Sequence, residues 1–326
     1  MKNILIIFTG GTISMKRDKN INASVPSMCG KDILDLIPNV DNIANIHCMD
    51  FSTIPSPHIT PEKMLELSKM ISEKAKVYDG IVVTHGTDSL EETAYLVDLT
   101  CNTSNPVIFT GAMKSSSELG WDGAANLVTA VLTAASESAK NKGVLVIMNG
   151  EIHCAAQVTK TNTHSLDTFK SLDFGPIGFV DNNKPYFYFD YSKSEYISVS
   201  KIESGVSLIK CACGMDYKLI KFCVDSGTKG IVIEGMGSGN IPPGMLPGID
   251  YAINRNIPII LVSRCITGKV SDSYGYKGGG KDLTNRGVIL GGNLNGQKAR
   301  IKLMAALGFT NDLCEIKKIF KQNYYK

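Results

Sequence analysis

Tryptophan occurs once in this chain of 326 residues and histidine five times. None of the nine cysteines forms a CxxC pair, and Cys211 and Cys213 are too close for an unstrained bridge and lack a second pair for zinc. His47, His153 and His164 show no metal-ligand spacing either. Neither a disulfide framework nor a metal site is predicted, no cofactor is required, and most cysteines read as buried small hydrophobes in a reducing compartment. Charge of one sign is scarce too: 34 Lys+Arg against 31 Asp+Glu leave +3, which gives no reason to expect nucleic acid or a membrane surface as partner. No apolar run approaches the roughly 20 residues of a spanning helix. The opening MKNILIIFTGGT has only about five consecutive apolar residues, short of a signal-peptide core. A cytoplasmic protein is expected.

What is present is ordinary globular composition, 43% hydrophobic with 31 glycines, which excludes disorder, collagen and coiled coil. The length suits about two domains of roughly 150 residues. Ile4 to Phe8, Gly80 to Val83, Val107 to Phe109 and Val144 to Met148 are continuous apolar runs, the pattern of strands covered on both faces. Helix signals lie between them. Thr60-Pro61 reads as an N-cap with proline at N1, followed by Met64, Leu67 and Ile71 on one face. Ser89 with Glu92 reads as a capping box, with Asp88 and Glu91 as the alternative one residue earlier. A second set begins with VSLIK at Val206, GIVIE at Gly230 and IPIILV at Ile257. The expectation is two α/β domains: a larger N-terminal parallel-sheet domain over 1–185 and a smaller Rossmann-like one over 206–326, joined by a linker at 186–205.

In open parallel sheets ligands bind beyond the carboxyl ends of the strands. TGGTIS (9–14), THGTDS (84–89) and TGAM (110–113) follow three of the predicted strands, so hydroxyls and glycines collect at one sheet edge. Gly10 and Gly11 let backbone approach a ligand and Thr12 is presented at the turn. Thr87 and Asp88 sit at a helix N-terminus, which favours an anionic group. A threonine hydroxyl needs a partner base, and Lys160, among Thr159, Thr161 and Asn162, is the candidate to relay a proton from Thr87 with Asp88 near it.

The paired TGGTI and HGTD motifs, with VTKTNT at 158–163, GAMK at 111–114, FKSLDFGPIG at 169–178 and NGQKARIKL at 295–303, resemble the bacterial asparaginases over essentially the whole chain. The resemblance implies a homotetrameric (or dimeric) amidohydrolase that converts asparagine, and often glutamine, to the acid and ammonia through a threonine acyl-enzyme. It implies Thr12 as nucleophile and Thr87, Lys160 and Asp88 as a second triad. It also implies Asp88 for the substrate amino group, Ser56 for the carboxylate, Gly11 in the binding loop and Asn240 supplied across a dimer interface. Three positions depart from the pattern. Ala23 stands where the family has a tyrosine, and no tyrosine lies between residues 13 and 77, so Tyr274 or Tyr276 is the candidate replacement. Pro57 stands in place of a substrate-binding glutamine, a role His58 is positioned to take over. The neighbouring-subunit glutamate is not evident in SDSYGYKGG.

Two rivals compete with this reading. GYKGGGK at 275–281 fits GxxxxGK, but Asp282 replaces the magnesium-binding Ser or Thr. The glycines at 235, 237 and 239 run into Pro242 and Pro243 where a dinucleotide-binding helix would open. A repurposed relative, such as an amide-hydrolysing component of an amidotransferase, is the other alternative, although no residues are spare for a tRNA-binding domain. His85, inside the motif, is expected to orient its loop through a hydrogen bond.

Overall fold

The computed structural model describes residues 1–18, 20–193 and 195–321, with backbone only at Ser24 and Pro26, and they form two units, Met1–Tyr196 and Ile197–Lys326. The apolar runs become strands because both of their faces are buried. Along β1 (Asn3–Phe8), Ile4 and Ile6 enter one core layer while Leu5 and Ile7 enter the other. Two short strands follow as a hairpin, β2 (Met15–Asp18) and β3 (Ala23–Pro26). Next come helix α1 (Gly30–Leu34), β4 (Asn45–Asp50), α2 (Pro61–Lys74), β5 (Gly80–Thr84), α3 (Leu90–Thr100), β6 (Val107–Thr110), α4 (Gly123–Ala134) and β7 (Val144–Met148). Leu127, Ala130 and Val131 of α4 and Ile33 of α1 cover one face of the sheet. Leu67 and Ile71 of α2 with Leu90, Ala94 and Val97 of α3 cover the other. Each of these leucine, isoleucine and valine side chains contributes roughly 1.5–3 kcal/mol on full burial.

The strands β4, β1, β5, β6 and β7 are neighbours in that order and all parallel. Three antiparallel strands extend the sheet: β8 (Glu151–Cys154), β11 (Gly178–Asp181) and β12 (Lys184–Phe187). Two tight turns produce the reversal. Asn149 and Gly150 both have positive φ (52° and 79°), as do Asn182 and Asn183 (46° and 59°), the conformation of a two-residue hairpin turn. Between β8 and β11 lies a separate two-stranded ladder, β9 (Thr159–Lys160) and β10 (Phe169–Lys170).

Unit 2 carries β13 (Val206–Lys210), α5 (Lys218–Asp225), β14 (Gly230–Gly235), α6 (Leu246–Ile253), β15 (Ile259–Ser263), α7 (Gly280–Arg286), β16 (Ile289–Leu290), α8 (Gly296–Phe309) and α9 (Leu313–Lys321). Its four strands are parallel in sequential order around a core of Ile231, Ile233, Ile259 and Leu261. The fold is therefore the two-part α/β arrangement expected, a large sheet followed by a smaller Rossmann-like one. Among the described residues no helix is long and apolar enough to cross a membrane.

Two local expectations need correction. Thr60 does cap α2, accepting from Lys63 N, but the Ser89 hydroxyl caps nothing: it donates instead to Ser56 O at 2.7 Å. A long-range carbonyl has outcompeted the local amide, so no capping box forms. The cysteines are all free, yet only Cys101, Cys154 and Cys211 are buried. Cys29, Cys48, Cys213, Cys265 and Cys314 are exposed, at a helix cap, an edge strand, two loops and the first turn of α9.

Candidate active site

The loops of interest leave the sheet at one level. Phe8 pairs with Thr84, Thr84 with Thr110 and Phe8 with Asp50, so the chains after β1, β5, β6 and β4 emerge side by side. Hydrogen bonds continue past the strand ends. Thr9 Oγ1 donates to Thr84 O at 2.9 Å, His85 N to Thr110 O at 2.8 Å and Ser52 Oγ to Thr9 O at 2.8 Å.

Glycines allow the final approach. Gly11 has φ +84°, and a Cβ there would lie 2.3 Å from Gly86 Cα. A Cβ on Gly86 would fall 2.6 Å from Ser56 Cβ. The TGGTI and HGTD loops thus meet backbone to backbone, and the Ser56 side chain of the 3₁₀ turn Ser56–His58 packs on Gly86. His85, 1% exposed, holds this arrangement from beneath: its Nδ1–H donates to Gly86 O at 2.8 Å. Nε2 is buried without a partner, and burial pushes the imidazole down to about 4 against the opposing effect of that bond. It is a neutral loop-orienting group, as expected.

A pocket of about 300 Å³ opens where these loops meet. Gly11, Thr12, Ser56, Thr87, Asp88 and Lys160 all line it, with Met15, Met113, Pro55 and Pro57 as apolar wall. That volume suits a small polar solute such as an amino acid. The Thr12 hydroxyl has no hydrogen-bond partner among the described residues. Lys160 Nζ donates to Thr87 Oγ1 at 3.0 Å and to Asp88 Oδ1 at 2.7 Å, with the lysine side chain only 16% exposed. Residues 72 and 73 positions apart in sequence are joined because β9 is anchored from below. Val158 and Phe169 are buried in the core layer beneath it, and Thr161 Oγ1 donates to Thr168 O.

Other expected residues lie elsewhere. His58 is exposed and not among the pocket-lining residues, so Pro55, Ser56 and Pro57 form the wall there without it. Ala23 sits exposed on β3, opposite Asp18. Asn240 belongs to unit 2, where Met236 and Asn240 close a tight bridge after β14; its backbone N–H donates to Met236 O at 2.9 Å, while its buried Oδ1 has no partner. Gly237 and Gly239 turn that bridge with φ +53° and +107°, which accounts for the glycines without a dinucleotide. Tyr274 and Tyr276 are exposed in unit 2, their ring centroids 5.5 Å apart. Just after GYKGGGK, Asp282 accepts from Gly278 N at 2.8 Å and from Arg286 Nε at 3.0 Å, so the carboxylate takes up a loop amide that a phosphate would use.

Sequence reasoning missed the residues that brace the site. Asp122 accepts from Met113 N and Lys114 N, fixing the GAMK loop, and Asn126 Nδ2 donates to Gly111 O. Glu91, 5% exposed, accepts from Thr159 Oγ1 at 3.1 Å. The pattern offered Glu91 only as a local capping residue, and its tertiary partner 68 positions away leaves no mark in the sequence.

Residues 3–192 match the family model "Asparaginase, N-terminal" and residues 205–320 match "Glutaminase/Asparaginase C-terminal domain". An L-asparaginase of Bacillus licheniformis is 35% identical over 308 residues, 94% of this chain and 95% of that one. One component of the glutamyl-tRNA(Gln) amidotransferase of Methanobrevibacter smithii is 33% identical over 99% of this chain and 76% of its own length. The crystal structure of a probable cytoplasmic L-asparaginase from Campylobacter jejuni superposes with TM-score 0.89 at 32% identity, covering 99% of this chain and 100% of the other. With both family models matched and these identities spanning nearly the whole length, the chain belongs to the asparaginase family.

Proposed function

We propose that this protein hydrolyses the side-chain amide of L-asparagine to L-aspartate and ammonia. The observation that carries the reading is the Lys160 ammonium held on Thr87 and Asp88 in the same small pocket as the Thr12 hydroxyl, which is unpartnered among the described residues. Asparagine lies with its amino group on Asp88 and its carboxylate at Ser56. Thr12 Oγ1 attacks the amide carbon, and backbone N–H groups of the glycine turn and the helix start receive the oxyanion, a contribution of about 3 kcal/mol per donor. The amide C–N bond breaks, ammonia leaves with the proton from Thr12, and an ester to Thr12 remains. Water activated through Thr87 and Lys160 then cleaves that ester, releasing aspartate and restoring the hydroxyl.

Asn240 reaches the site from a second subunit, so the working enzyme is a homodimer or tetramer, and Tyr274 or Tyr276 stands in for the tyrosine absent at position 23. Glutamine is the alternative substrate, and Pro57 in the pocket wall is the residue that bears on the preference. The cytoplasm is the compartment that suits nine free cysteines; release of the protein by osmotic shock would contradict that assignment. The deciding experiment is steady-state ammonia release from L-asparagine and L-glutamine by the purified protein, with Thr12→Ala as control. Release from asparagine that vanishes in the variant supports the reading, and no release from either amide overturns it.

A further inference from the structure

A two-residue strand is too short to fix a lysine ammonium within bonding distance of two acceptors by itself. On one side β9 is held by β10, with Lys160 opposite Phe169 and Thr159 opposite Lys170. On the other side Thr159 Oγ1 donates to Glu91 Oε1 at 3.1 Å. Glu91 is in the first turn of α3 and 5% exposed. A carboxylate in so dry a place is costly unless it is hydrogen-bonded, whereas an apolar side chain there would simply pack. One helix start thus receives both side chains of β9: Lys160 at Thr87 and Asp88, Thr159 at Glu91.

We propose that Glu91 is the positioning residue for Lys160, holding β9 against α3 through Thr159 and so setting the height of the ammonium between Thr87 and Asp88. This deepens the amide-hydrolysis reading and rests on it. Glu91 touches no substrate. Its effect passes through the lysine, so it should exist only while the lysine does.

The test measures kcat and KM for L-asparagine in Glu91→Ala, Glu91→Gln and Thr159→Val, each in the parent and in a Lys160→Ala background. Glu91→Ala and Thr159→Val should each lower kcat about tenfold with KM nearly constant, while Glu91→Gln, which keeps an oxygen acceptor, recovers most of the loss. Neither should lower the residual kcat of Lys160→Ala further. Equal losses in both backgrounds would make Glu91 a general support of the fold and overturn the proposal. Should Glu91→Ala fail to fold, the near-isosteric Thr159→Val carries the same comparison. A crystal structure of the variant gives a readout independent of turnover: Lys160 Nζ should lie beyond 3.5 Å from Thr87 Oγ1, outside hydrogen-bond range. A lysine that keeps both bonds refutes the positioning role. A displaced lysine in a protein whose parent is inactive on asparagine upholds that role and faults the substrate.

Discussion

The Cα of Gly86 lies 2.3 Å from where a Cβ on Gly11 would stand, so the loops after β1 and β5 touch backbone to backbone. Gly11 also has φ +84°, a conformation that L side chains rarely adopt. Gly11→Ala must therefore part the two loops and strain its own backbone. The expected cost is roughly 2–4 kcal/mol of stability, read by urea unfolding, with turnover lost as Thr12 and Thr87 separate. Parental stability and rate in this variant would refute the close approach.

Lys160 is the group on which the second half of the proposed reaction depends. Lys160→Met keeps the length of the stem but removes the ammonium that bonds Thr87 and Asp88. Its kcat should fall about 10²–10⁴-fold, the usual worth of a positioned proton-transfer group. Thr87→Ala should fall comparably, and the double variant little further, because the two act as one unit. Additive losses would separate them.

His85 makes the protein acid-sensitive. Burial pushes its imidazole from an ordinary 6.5 to about 4. Between those values the unfolded chain takes up a proton that the folded chain refuses, since an N–H on Nε2 would meet no acceptor. Stability is complete above pH 6.5 and declines as pH falls through 4, by about 3 kcal/mol in all. His85→Asn should remove this part of the acid limb in urea titrations run across that window. An unchanged slope would mean that His85 is not buried neutral.

Asn240 supplies a test of site sharing between protomers. Its Oδ1 is buried without a partner, so Asn240→Ala should leave the thermal midpoint almost unchanged while lowering kcat/KM. If the residue serves a neighbour's pocket, the impaired Asn240→Ala and Lys160→Ala proteins unfolded and refolded together should regain activity above the mean of the two alone. In a random mixture half of the dimers are mixed and one site in each is intact, so recovery should approach about a quarter of the parental rate. No recovery would assign Asn240 to its own protomer's chemistry or to none.

The parallel part of the fold was legible because buried parallel strands are written as unbroken apolar runs: Ile4–Phe8 and Val144–Met148 could be little else. The antiparallel extension carried its own sign, Asn149-Gly150, passed over beside so strong a β–α alternation. The hairpin β2–β3 had none, since MKRD alternates nothing. At the site, the threonines, glycines and Asp88 were readable as loop chemistry at strand ends. Lys160 was readable as their candidate partner, but not its geometry, because two-residue β9 has no periodicity and its partners lie 72 and 73 positions away. Ser89 shows the same limit from the other side: its local capping pattern was sound, and Ser56 O claimed the hydroxyl from a distance of 33 residues.

Every residue that lines the small pocket, from Gly11 to Thr163, belongs to the first unit. A ribosome adds roughly 5–20 residues each second, so making the second unit, Ile197–Lys326, takes about 6–26 s once the first unit has been joined. Within that interval the first unit can close its sheet and bring Thr12 and Lys160 into one pocket while the second unit is being made. Under the proposed supply of Asn240 by a neighbouring protomer, a pocket assembled so early stays silent until a second polypeptide arrives, which ties the onset of hydrolysis to the local concentration of folded protein.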